Sequence, residues 1–136
     1  MTAPHRYSLL SLLFYFGLAL LCTHEVDAAV RNEWRILPVL SQLDDQAGFF
    51  WFVILHIPLL TVVFWLTAHA SEVVASRSRM GVSAFLCAHG LGHFAQSGHV
   101  DYAFSPPLET ITVYGGALVG LAYIAVVLRV GTRPKT

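Results

Sequence analysis

Charged side chains are scarce in this 136-residue sequence, in which Asp, Glu, Lys and Arg make up 12% of residues and hydrophobic residues 56%. Soluble domains carry about 25% charged residues, so this chain has too few to cover a water-exposed surface. The eight basic and eight acidic residues balance, which excludes the basic surface that nucleic-acid binding requires. The high apolar content excludes a disordered chain. The composition therefore predicts a folded membrane protein.

Cysteine is scarce as well, and no long stretch alternates polar and apolar residues. Cys22 and Cys87 both lie inside apolar runs, so neither a disulfide scaffold nor a cysteine-based zinc site is indicated. Without long alternation, a membrane β-barrel is not predicted either. An all-α membrane protein is the fold class that remains.

Four apolar segments predict four transmembrane helices packed as a bundle, in a single domain covering residues 1–136. A helix needs about 20 residues to cross the hydrocarbon core. The second segment is the strongest, and the third is the weakest because it contains two histidines. The predicted spans are approximately 7–24, 47–70, 80–97 and 108–128.

The distribution of Lys and Arg predicts the orientation of this multi-pass protein in the cell inner membrane. Six basic residues fall on one side of the four spans: Arg6, Arg77, Arg79, Arg129, Arg133 and Lys135. Only Arg31 and Arg35 fall on the other side. Since basic residues favour the cytoplasmic side, both termini are expected there. A cleaved signal peptide ending near Ala28 is the alternative, although a charged segment before the cleavage site is atypical.

Seven histidines are unusual in so apolar a chain, and their spacing indicates a metal site. His89 and His93 are four residues apart and share one helix face, an arrangement common in bidentate metal binding. The glutamate of an H-E-x-x-H zinc protease is absent from this pair. The predicted topology places six candidate residues in the outer half of the bundle: His24, Glu25, His56, His89, His93 and Glu109.

From these residues we predict a metal centre with His24, His56, His89 and His93 as ligands. At least three of the imidazoles should lie within roughly 4–5 Å of one another to share an ion. Glu25 or Glu109 would be a carboxylate ligand or the general base for a metal-bound water. Zinc and non-haem iron both suit this donor set. The alternative is that the histidines hydrogen-bond across helices and only hold the bundle together.

The order of five short motifs resembles a family of small bacterial four-helix membrane proteins of unknown function. These motifs are H-E-V-D-A (24–28), E-W-R (33–35), L-H-I-P-L (55–59), H-G-L-G-H (89–93) and F-S-P-P (104–107). The resemblance covers roughly residues 15–125. It implies the four-helix architecture and draws attention to these positions, but it implies no reaction.

Three functions fit these observations. The first is a metal-dependent hydrolase or oxidoreductase that acts on a lipidic or membrane-proximal substrate. The second is an electron-transfer protein in which two of the histidines bind a b-type haem. The third is a non-enzymatic accessory subunit of a larger membrane partner. In each of these three functions the protein's first partner is the lipid bilayer.

Overall fold

The computed structural model describes residues 3–104 and 106–131, and this part of the chain folds into four long helices without a strand. The predicted all-α class is therefore confirmed. Helix α1 is Ala3–Val30, α2 is Asp45–Thr67 and α3 is Glu72–Gln96. Helix α4 has three parts: an α-helical turn at Pro106–Glu109, a π-helical segment at Thr110–Tyr114 and an α-helix at Gly115–Gly131. Ser105, Arg133 and Lys135 lie outside the described residues.

Three of the four helices are long and apolar enough to cross a membrane, which identifies a membrane protein. The candidate spans are Leu9–Val30, Asp45–Thr67 and Pro106–Val130. Helix α3 is not among them, since it contains Arg77 and Arg79 in its first half and His89 and His93 in its second. The crossing of residues 80–97 stays a prediction.

Helix α4 packs closely against α1 and α3. A Cβ built on Gly120 would lie 2.5 Å from the backbone oxygen of Ser83, and one built on Gly90 would lie 2.8 Å from the Cβ of Ala117. Only glycine allows the two backbones to approach so closely at these positions. Helix α2 stands apart from this packing, since only 6% of its most apolar window is buried.

The α1–α2 connection folds back over one end of the bundle. Asn32 adopts a left-handed conformation with φ of 59°, which asparagine tolerates better than most residues. This turn ends the path of α1 and directs a short helical turn, Glu33–Arg35, back toward the helix ends. The connection is fixed to α2 by an ion pair of 2.6 Å between Arg35 and Asp45, and Asp44 caps α2 by accepting from the N–H of Ala47.

The π-helical segment of α4 lies immediately after Glu109. In a π-helical turn each hydrogen bond spans five residues instead of four, so the turn holds one more residue than an α-helical turn. The extra residue rotates the side chains before the turn relative to those after it. Glu109, Thr112 and Val113 are all buried. The segment thus allows a carboxylate near the start of α4 to face the interior of the bundle.

Candidate metal centre

Three histidines converge at the end of the bundle covered by the α1–α2 connection. His24 comes from α1, and His89 and His93 come from α3. Each histidine contributes one ring nitrogen to a group of three nitrogens that all lie within 4.8 Å of one another. His24 is 1% exposed and His93 4%, while His89 is partly buried. The expectation that three of the four imidazoles lie close enough to share an ion is confirmed.

The local sequence explains why these rings meet. His89 and His93 share a face of α3 because four residues make slightly more than one helical turn. Gly90, between them, lets α4 approach, since its nearest neighbour across the interface is Ala117. Phe104 closes the cluster from the α3–α4 connection, where its ring stacks on His24 at 5.4 Å between centroids.

The histidine cluster contains buried nitrogen atoms without a hydrogen-bond partner in the described part of the chain. These are Nδ1 and Nε2 of His24, Nε2 of His89 and Nε2 of His93. Leaving a buried polar atom unpaired costs about 1–3 kcal/mol. Histidines that only joined helices would hydrogen-bond to one another or to nearby groups. Three imidazoles brought together without such bonds are instead the arrangement that a bound cation stabilises, since each neutral ring can offer it one lone pair.

Glu33 adds a carboxylate to the cluster, and the sequence did not identify it. Its Oε2 lies 3.3 Å from Nε2 of His24, and its Oε1 lies 3.8 Å from Nε2 of His93. Burial raises the pKa of the Glu33 carboxyl, but the imidazoles of His24 and His93 lower it by more, so the net pKa is below its usual value. Glu33 is therefore an ionised oxygen donor beside three imidazoles.

Glu33 was missed because the arginines on either side of it suggest ordinary ion pairs. Arg31 does form one, but with Asp27 at 3.3 Å. Arg35 pairs with Asp45 in the next helix. The sequence alone does not determine which acidic residue each arginine pairs with. The backbone turn at Asn32 is what directs Glu33 inward.

A hydrogen-bond chain orients His93. Nδ1 of His93 lies 2.8 Å from the hydroxyl of Tyr102, and that hydroxyl donates to Oε1 of Glu109. Burial, and then the bond to Glu109, raise the pKa of Tyr102 well above its usual value, so it stays protonated. The Tyr102 oxygen must therefore accept from Nδ1–H of His93, which leaves the Nε2 lone pair directed into the cluster. Metal-binding histidines are commonly held by such outer partners.

Glu109 thus reaches the cluster through Tyr102 and His93. Its Oε1 lies 3.8 Å from Nδ1 of His93, the nitrogen that Tyr102 contacts, whereas Nε2 of His93 lies 3.8 Å from Glu33. The geometry assigns it to the orientation of His93, while its proposed role as ligand or base stays a prediction.

His56 and Glu25 form a separate pair that does not join the histidine cluster. Nε2 of His56 on α2 lies 2.8 Å from Oε2 of Glu25 on α1. Nδ1 of His56 lies 2.6 Å from the backbone oxygen of Phe52, one turn earlier in α2. Consecutive residues in a helix point about 100° apart. When His24 faces α3, Glu25 is therefore directed toward α2.

Comparison with known proteins gives one result. A family model described as "Family of unknown function (DUF6713)" matches residues 10–130. No curated protein and no solved structure matches the chain.

Proposed function

Because the chain belongs to the family of unknown function DUF6713, which implies no reaction, we propose a function from its geometry: a membrane protein that binds a divalent metal ion at His24, His89 and His93. The observation that carries this proposal is the set of unpartnered ring nitrogens in the buried cluster. One nitrogen from each ring lies within 4.8 Å of the other two. Zinc–nitrogen bonds of about 2.0–2.1 Å require the nitrogens to be about 3.4 Å apart in a tetrahedral site, so binding would draw the three rings closer together.

Zinc is the ion that this donor set fits best. Three imidazoles with one free coordination position are a common catalytic zinc site, and three imidazoles with a carboxylate form a closed site. Non-haem iron oxygenases use two histidines and one carboxylate instead. Glu33 distinguishes the two zinc arrangements, because as a ligand it would close the site and as a neighbour of the ion it would leave one position open. Its carboxylate lies 3.3 Å from Nε2 of His24 and 3.8 Å from Nε2 of His93, and we propose the open arrangement.

The reaction that we propose is hydrolysis of a lipidic or membrane-proximal substrate. A zinc ion would polarise the substrate and lower the pKa of a bound water toward 7. Glu33 would accept the proton, since it is ionised and adjacent to the imidazoles. Tyr102 and Glu109 would hold His93 in the orientation that binding requires.

A b-type haem is less compatible with the cluster. Two axial histidines must face each other across a flat macrocycle. Here the ring centroids of His24, His89 and His93 are 4.6–4.8 Å apart, and the rings meet edge to face. Among the described residues no two of these rings are separated by a planar space. The accessory-subunit hypothesis differs from both in requiring no bound ion.

Metal analysis of the detergent-purified protein tests the proposal. The wild type should contain about one equivalent of zinc, and His89→Ala should lose most of it. His99→Ala is the matched control, because the exposed His99 side chain lies outside the cluster and its polar contacts in the described part of the chain are with Asp101 of the same loop. Both variants should be checked for folding by circular dichroism.

Each alternative gives a different result in that experiment. A Soret absorption band in the wild type would favour the haem hypothesis. A folded wild type with neither metal nor haem, even after incubation with zinc, would favour the accessory subunit and contradict the proposed function.

The proposed orientation in the cell inner membrane places both termini in the cytoplasm. It rests on the six-to-two distribution of Lys and Arg. A reporter fused after Ser76 or at the C-terminus should be active in the cytoplasm, and one fused after Gln42 should be active only outside. An external C-terminus would contradict the four-span topology and favour a cleaved first segment.

A further inference from the structure

We propose that the Glu25–His56 pair is the polar end of a second site, separate from the metal centre, which binds a neutral single-chain amphiphile. The occupant would have a hydroxyl head group and one alkyl chain, as in a long-chain alcohol. The site lies where α2 meets α1 and α3. It does not require the metal ion.

The cavities on either side of this pair provide space for such a molecule. A cleft of about 460 Å³ lies between α1 and α2, and a second of about 220 Å³ extends toward α3. Ligand sites in proteins are commonly about 300–1,000 Å³. Glu25 and His56 line both clefts, and the other lining side chains are nearly all apolar, including Val26, Phe52, Val53, Leu59, Val63 and Phe85.

Hydrogen bonding determines the charge of the pair. A backbone carbonyl only accepts, so Nδ1 of His56 must donate its proton to Phe52. The contact between Nε2 of His56 and Oε2 of Glu25 then holds one proton, on the nitrogen or on the oxygen. Either location leaves the pair with no net charge.

A neutral pair in apolar surroundings selects a neutral head group. Apart from Glu25 and His56, Cys22 is the only side chain in the described lining of either cleft that can ionise. A charged head group would therefore lack a counter-charge, and burying an unpaired charge is very costly. The pair still has lone pairs that can accept from a hydroxyl, since the Glu25 side chain is 21% exposed.

The position of the pair also favours a ligand from the bilayer. Most of α2 faces outward, so the clefts open laterally toward lipid. Polar groups exposed at membrane depth are costly and are usually functional. The competing explanation is that the hydrogen bond only fastens α2 to α1.

Photolabelling of the full-length protein in phosphatidylcholine nanodiscs distinguishes these explanations. The probe is a long-chain alcohol with a diazirine in its alkyl chain, and labelled residues are mapped by mass spectrometry. Labelling should concentrate on cleft residues such as Val26 and Val53 rather than on Leu121, which is exposed on α4. Glu25→Leu should reduce cleft labelling roughly 5-fold, because it removes the acceptor of the hydroxyl's hydrogen bond. Thr61→Val is the control, because Thr61 is exposed on the same helix and its hydroxyl donates to the backbone oxygen of Ile57.

Competition in the wild type does not depend on the folding of a variant. Unlabelled long-chain alcohol should displace the probe from the cleft, whereas an alkane of equal length should not. Chelator treatment should leave the labelling unchanged. Equal competition by the alkane, or labelling spread evenly over the outward-facing side chains, would overturn the proposal.

Discussion

Removing the metal ion from the zinc-loaded wild type with a chelator should lower its melting temperature by roughly 10 °C. The ligands come from two separate parts of the chain: His24 lies on α1, and His89 and His93 lie on α3. Only the folded protein brings them together, so the ion should bind the folded state far more tightly than the unfolded one. At a free concentration 1,000 times Kd, such binding stabilises the folded state by about 4 kcal/mol.

The His89→Ala variant is the comparison for this measurement. Its melting temperature should be close to that of the chelated wild type and should not respond to chelator. His99→Ala should respond as the wild type does, because His99 lies outside the cluster. A chelator effect of equal size in His89→Ala would show that the stabilising ion binds elsewhere.

Gly120→Ala should destabilise the protein by about 1–3 kcal/mol, the usual cost of overpacking. The new Cβ would lie 2.5 Å from the backbone oxygen of Ser83, and no rotation of a side chain can relieve a contact with backbone. Helices α3 and α4 would have to separate. Equilibrium unfolding in a denaturing detergent measures the change.

Gly92→Ala provides the matched control, since nothing lies within 4 Å of a Cβ built on Gly92. Alanine favours helix over glycine by up to about 1 kcal/mol, so this variant should be as stable as the wild type or more stable. If both substitutions had the same effect, the close approach of α3 and α4 would not be what requires glycine at position 120.

The sequence predicted the part of the site that follows from helix periodicity. The spacing of His89 and His93 places both rings on one face, and the structure shows them together. The depth of His24, estimated from the topology, brought it to the same level. Depth in the membrane, however, does not determine which neighbouring helix a side chain faces. His56 was expected at a comparable depth, yet it lies beside Glu25 because the direction of a side chain around its helix also matters.

The rest of the site depends on connections between helices, where periodicity gives no information. Glu33 reaches the cluster because Asn32 takes a left-handed conformation after α1 ends. Tyr102 and Phe104 reach it from the α3–α4 connection. Composition also did not decide whether α3 crosses the membrane. Its polar residues Ser83 and His93 lower its hydropathy, yet they face the interior of the bundle.

The π-helical segment at Thr110–Tyr114 divides α4 into two parts. The direction in which side chains point around the helix axis, the register, is set separately in each part. The register after the segment is fixed by Gly120 against α3, and the register before it is fixed by Glu109 against Tyr102. Deleting one residue from the segment would restore a regular α-helix and rotate the first turn by about 100° relative to the rest. Chain length between positions 109 and 115 is therefore as constrained as residue identity. Related sequences that align without gaps there should share the Tyr102–Glu109 contact, and those with a deletion should have lost it.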